Sequence, residues 1–198
     1  MHAATAPAVA RVGTDSVPVS DSNGAVWAAD RGFTGGRDIP RGTTAPIGNT
    51  TDDLLCQSEH FRVSAFTTAV PSPGTYRVRL RLAETYFWAA GQRVFDVAAE
   101  GQTRLSKVDI CARVGKNTAY NPTCDVSVSD GALDLSFTNK VNYAKVAAIE
   151  VTQNATTTTG TSPSPSPSSS PSPSASPSPT SSPSAPPSRT PVRGPDPS

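Results

Sequence analysis

Residues 75 to 82, TYRVRLRL, constrain this chain more than any other stretch. Tyr76, Val78, Leu80 and Leu82 alternate with Arg77, Arg79 and Arg81, the period of two that gives a β-strand one apolar and one wet face. A second strand over Arg93 to Ala99 puts Phe95 and Val97 in alternation, and Glu100-Gly101-Gln102 supplies the glycine of a turn. Between the two lies Glu84-Thr85-Tyr86-Phe87-Trp88, the only dense aromatic cluster in the sequence. Successive side chains on a strand point to opposite faces, so three consecutive aromatics cannot all enter one core. At least one is exposed or loop-borne. Trp88 is a candidate binding residue on that ground, its other reading being a rim tryptophan resting on Ala89 and Ala90.

The remaining segments are short and β-like. Residues 8 to 12 read as a first strand broken by Gly13, and Thr14 to Asp53 as mostly loop, with Trp27 and Phe33 expected to pin it to the core. His60 to Thr67 reads as a strand, Pro71-Ser72-Pro73-Gly74 as a turn, Thr103 to Ile110 as a strand and Cys111 to Cys124 as a loop. Val126 and Val128, then Leu133, Leu135 and Phe137, flank Asp130-Gly131 and suggest a β-hairpin. A loop over Asn139 to Tyr143 leads into a closing strand from Ala144 to Val151. No helical periodicity of useful length occurs, and many short strands between glycine and proline turns imply an all-β sandwich.

Composition divides the 198 residues unevenly. From Asn154 onward the chain is almost wholly Ser, Pro, Thr and Ala, too poor in apolar residues to offset its conformational entropy by burial. Residues 154–198 are therefore expected to be a disordered linker, its Ser-Pro run a semi-rigid polyproline II spacer. An SH3-like ligand is the rival reading. Residues 1–7 are expected to be a flexible N-terminus, which leaves one domain over 8–153, long enough to bury roughly 68–70% of its unfolded surface.

A net charge of +1, with arginines interleaved among acids, argues against a nucleic-acid partner. No apolar run approaches the ~20 residues of a membrane span. Met1 to Pro7 show no signal peptide, so the chain is expected to be an excerpt or to start further upstream. Cys111 and Cys124 close a loop in which a disulfide would contribute ~3 kcal/mol. Such a bridge would suit a secreted or cell-surface setting and leave Cys56 over. The alternative is three reduced, packed thiols.

At this point a resemblance becomes specific. Leu82-Ala83-Glu84-Thr85-Tyr86-Phe87, followed by Gly91-Gln92-Arg93-Val94-Phe95-Asp96-Val97 and Glu100-Gly101, resembles the AE-x-YF and GQRVFDV-x-x-EG signatures of the malectin family. Trp27-Ala28-Ala29-Asp30-Arg31-Gly32-Phe33-Thr34-Gly35-Gly36 resembles a run near the start of its bacterial members. Leu55-Cys56-Gln57-Ser58-Glu59-His60-Phe61 resembles a third segment, with Cys56 where a tyrosine is usual and His60 where an arginine is usual. The likeness covers most of residues 8 to 152. It implies a jelly-roll-like β-sandwich of the galactose-binding-like kind that binds glucose-containing oligosaccharides. Carried over residue by residue, it implies ligand contacts at Tyr86, Phe87, Phe61 and Asn142. Asn142 stands where the family has an acid, and a further family tyrosine has no counterpart between Thr43 and Thr50.

A sugar presents hydroxyl edges and an apolar C–H face, so its site needs aromatic plates flanked by fixed hydrogen-bonding groups. Tyr86, Phe87, Phe61 and Glu84 have that character. The leading expectation is a non-catalytic carbohydrate-binding module for an oligosaccharide or polysaccharide, one part of a larger exported protein. The alternatives are a protein-interaction or adhesion module on the same fold, and a glycosidase using two of Glu59, Glu84, Asp96 and Asp109 across a cleft. With His2 and His60 the only histidines, no metal-ligand spacing exists, and no nucleophile or nucleotide motif is present. No cofactor or catalytic residue is expected. Asp21-Ser22-Asn23-Gly24 and Asp52-Asp53 are oxygen-rich enough for a structural Ca²⁺, or are simply solvated turns. Asn49 and Asn154 each head a glycosylation sequon.

Overall fold

A computed structural model describes residues 8–154; the expected flexible N-terminus and, apart from Asn154, the linker expected over 154–198 lie outside the described residues. In chain order the elements begin with β1 (Ala8–Gly13), β2 (Val19–Ser20), β3 (Val26–Trp27), β4 (Phe33–Thr34), β5 (Arg37–Ile39) and α1 (Asp53–Gln57). Next come β6 (Glu59–Phe61), β7 (Ala65–Ala69), β8 (Gly74–Ala83), β9 (Val94–Ala99), β10 (Gln102–Val108) and α2 (Ile110–Val114). The last are β11 (Ala119–Tyr120), β12 (Thr123–Val128), β13 (Ala132–Val141), β14 (Lys145–Val146) and β15 (Ala148–Gln153).

Two five-stranded antiparallel sheets form a sandwich. In the first, β8 is central: β15 and then β1 lie on one side, while β12 and β11 share its other edge. The second runs β10-β9-β13-β7-β4. The alternation of β8 sends Tyr76, Val78, Leu80 and Leu82 into the core against Phe66, Phe95, Val97, Leu133 and Leu135 of the facing sheet. Each such side chain contributes about 1.5–3 kcal/mol on burial. Two of the β8 arginines, Arg77 and Arg79, turn outward to carboxylates that the register sets opposite them. Arg77 pairs with Asp125, and Glu150 is shared by Arg79 and Arg11.

Three expectations are corrected here. Residues 126–137 are not a hairpin, because β12 pairs with β8 in one sheet and β13 with β7 and β9 in the other. Alternation fixes which face is buried, not which strand is the neighbour. The strand expected over 60–67 is two strands, broken at Arg62, whose φ of 65° is left-handed. Gly36 lies against this break: a Cβ there would stand 1.9 Å from the Phe61 carbonyl oxygen, so only glycine fits. The loop expected from Cys111 to Cys124 contains α2 and β11. Asp109 caps α2 by accepting the Ala112 N–H at 3.0 Å, which ends the preceding strand at Val108.

The expected Cys111–Cys124 bridge is also corrected: both are free thiols, as is Cys56. Cys111 Sγ lies on the Phe87 carbonyl at 3.4 Å, whereas Cys124 packs from β12 against the main core, so the two thiols have different neighbours. Burial pushes the Cys56 thiol up to about 11, which makes it an inert core residue.

The pinning expected of Trp27 and Phe33 is present. Trp27 is buried with Leu55 and Ala148 under the Arg81 guanidinium, and its Nε1 donates to Asp21 at 3.1 Å. Phe33 packs on Phe66 and stacks on His60, whose two ring nitrogens bond to Asp30 and the Gly35 carbonyl, each at 2.7 Å. Asp21 also accepts the N–H groups of Asn23 and Ala25, and Asp52 is bonded to Arg81 and the Ser22 N–H. The oxygen-rich turns therefore fasten the long loop.

Candidate functional site

At one end of the sandwich, three chain reversals meet around an open groove of about 460 Å³. The end of β6 and the left-handed residue after it supply Phe61 and Arg62; the β8–β9 connection supplies Tyr86, Phe87 and Arg93. The β13–β14 connection supplies Asn142 and Tyr143, and Ile39 and Glu59 complete the lining. The rings are set edge to face. Tyr86 and Phe87 have centroids 5.0 Å apart at 87°, and Phe61 and Tyr143 are 5.8 Å apart at 80°. Tyr86 and Tyr143 are exposed, while Phe61 and Phe87 are half-buried beneath them.

Arg93 joins these parts. Its guanidinium lies 5.0 Å from the Phe87 centroid and 5.6 Å from that of Phe61, and it donates to Glu84 Oε2 at 2.7 Å and to the Tyr143 carbonyl. Glu84 Oε1 in turn accepts the Tyr86 and Phe87 N–H groups at 2.9 and 3.1 Å. One carboxylate thus bends the chain after β8 and fixes both aromatics. Lys145, itself buried, pairs with Glu59 and donates to Thr85 Oγ1 at 3.0 Å. Burial raises the pKa of Glu84, but the charges of Lys145 and Arg93 and the hydrogen bonds outweigh it and hold the carboxyl below its ordinary range.

The groove brings together Phe61, Tyr86, Phe87 and Asn142 as the sequence suggests. It does not bring in Glu84 or Trp88. Glu84, expected to face a ligand, is 1% exposed and fully engaged beneath the aromatics. Its intervals from Arg93 and Lys145 gave no sign of this. Trp88 is 80% exposed outside the groove, with Lys116 Nζ 3.5 Å from its ring centroid. Asn142, at φ 58°, donates to the Gln92 carbonyl at 3.2 Å, and among the described residues its amide oxygen takes no hydrogen bond. Four lining residues, Ile39, Arg62, Arg93 and Tyr143, went unread in sequence as parts of a site. Tyr143 was detectable as an aromatic in a loop next to Asn142, but Arg62 and Arg93 look like ordinary strand arginines.

The carboxylates weighed for hydrolysis do not form a facing pair across the groove. Asp96 is bonded to the Lys107 N–H and Lys140, and Asp109 is taken up by Gly91 N–H and the α2 cap. The Lys107 hydrogen bond leads in lowering the Asp96 pKa, against a smaller effect of burial.

The family model for the Malectin domain matches residues 8–158. Malectin-B of Xenopus laevis is 33% identical over 116 residues, covering 54% of this chain and 42% of that protein. Human Malectin is 34% identical over 115 residues, covering 54% and 39%. The chain thus spans about two-fifths of the length of these curated relatives. Among solved structures, a Bacteroides uniformis β-glucuronidase superposes with a TM-score of 0.67 at 15% identity, over 74% of this chain and 18% of that one. The extracellular domain of Arabidopsis thaliana ANXUR2 gives 0.66 at 15%, over 75% and 49%. At such identities these two structures share the fold.

Proposed function

The chain belongs to the malectin domain family, and on that premise we propose that it is a non-catalytic carbohydrate-binding module whose groove takes a glucose-containing oligosaccharide or the end of a glycan. The observation that carries the proposal is the groove itself. Two exposed tyrosines, Tyr86 and Tyr143, stand on half-buried phenylalanines beside Asn142, Glu59 and Arg62, so apolar plates and hydrogen-bonding groups converge on one opening. Its volume of about 460 Å³ lies in the range of small-ligand sites. In this reading a pyranose ring lays its C–H face on a tyrosine and its hydroxyls reach Asn142 Oδ1 and the Glu59 carboxylate. The buried Glu84–Arg93 pair holds the plates in place before the ligand arrives, which lowers the ordering cost of binding. The same proposal sets the module outside the cell or on its surface, the Ser/Pro run separating it from further domains.

Calorimetric titration of the full chain with gluco-oligosaccharides tests this. Wild-type protein should bind, and Tyr86→Ala and Tyr143→Ala should each weaken binding at least about tenfold, or about 1.4 kcal/mol, with unchanged melting. A second reading, a protein-interaction module, is favoured by Trp88, which stands exposed outside the groove. One structure with this fold is the plant peptide RALF23 in complex with FER and LLG2. A folded chain that binds no sugar would move that reading to the front.

A further inference from the structure

The charges that line and support the groove do not balance, and resting on the carbohydrate reading we infer that its preferred ligand is an acidic sugar rather than a neutral one. Glu59 is neutralised by Lys145, and Arg93 by Glu84. Asn142 contributes a neutral amide. Arg62 remains: among the described residues it has no carboxylate partner, and its side chain makes no hydrogen bond.

Its placement is fixed from both ends. The backbone is left-handed at φ 65°, and the Arg62 N–H is bonded to the Ala144 carbonyl at 3.0 Å. The guanidinium lies 4.2 Å from the Tyr143 centroid and 5.5 Å from that of Phe61. A planar guanidinium resting on a ring keeps its N–H edge free, the geometry that grips a carboxylate in two parallel hydrogen bonds. Beyond Tyr86 stands Lys116, again positive, with Nζ 3.3 Å from the Tyr86 carbonyl. A sugar on the tyrosines would thus carry its anionic substituent against Arg62, whether that is a uronate carboxylate or a sulfate ester.

The test titrates the full chain with a neutral gluco-disaccharide, its glucuronate-terminated counterpart and a 6-sulfated one. At least one acidic sugar should bind about tenfold or more tighter than the neutral one, with an advantage that shrinks as salt rises. Arg62→Gln should erase the preference and Arg62→Lys retain part of it, with melting temperature reporting that each variant folds. The tighter of the two acids identifies the anion. Equal or tighter binding of the neutral sugar by wild-type protein overturns the inference and leaves the carbohydrate reading standing. Binding of none of the three overturns both.

Discussion

Arginine–carboxylate pairs in two regions of this molecule do different things. On the outer face of the β8 sheet, Arg79 and Arg11 share Glu150 and Arg77 faces Asp125, pairs in which most partners are open to water. Beneath the groove, Glu84 is 1% and Arg93 5% exposed, and their pair holds two backbone N–H groups, two aromatic rings and a distant carbonyl. The outer pairs satisfy a face that alternation makes polar, and screened surface pairs of this kind contribute little. In the buried pair, each charge depends on the other for its solvation. The same chemistry is thus a tolerant surface in one place and a positioning device in the other.

That contrast breaks first at Glu84. Replacing it by alanine leaves Arg93 buried without its partner and frees the Tyr86–Phe87 turn, so chemical denaturation should show a loss of about 3–5 kcal/mol. Sugar binding should disappear with it. A cost below about 1 kcal/mol would place the buried pair with the surface ones.

The pH dependence sharpens the same distinction. The Glu84 carboxyl lies below its ordinary value of 4.5 in the folded protein. A depressed acid stabilises the fold above that value, and the stability is lost as pH falls through the folded pKa. Melting temperature should therefore drop as pH falls below about 4.5, and Glu84→Gln, less stable at neutral pH, should show a flatter acid limb. Asp125 is lowered in the same direction, chiefly by its hydrogen bond to Arg77, but it is exposed, so Asp125→Asn should leave the acid limb nearly unchanged. The smallest effect belongs to the outer face. Arg79→Ala should alter stability by no more than about 0.5 kcal/mol and leave sugar binding intact.

The sequence showed more of the sandwich than of the site. The alternation at Tyr76, Val78, Leu80 and Leu82 is a local signal, and it survives into β8 because burial acts on each residue separately. Strand pairing is not local. Residues 126–137 alternate in the same way whether β12 joins β13 or β8, and the structure takes the second course. The break at Arg62 was hidden because nothing about an arginine announces a positive φ; the constraint comes from Gly36, whose backbone crosses close to Phe61. At the groove the aromatic cluster was legible as a surplus of rings for one core. The role of Glu84 was misread, because its partners lie on Arg93 and, through Arg93, on Tyr143, contacts that only the fold brings about.

The most direct test of sugar recognition at the groove is an amide chemical-shift map of the full chain on adding a gluco-oligosaccharide and, separately, its glucuronate-terminated counterpart. Shifts should concentrate at residues 61–62, 85–93 and 142–144, leaving the outer faces of β8 and β15 silent. No shifts with either sugar, or shifts centred on that outer face, would contradict it.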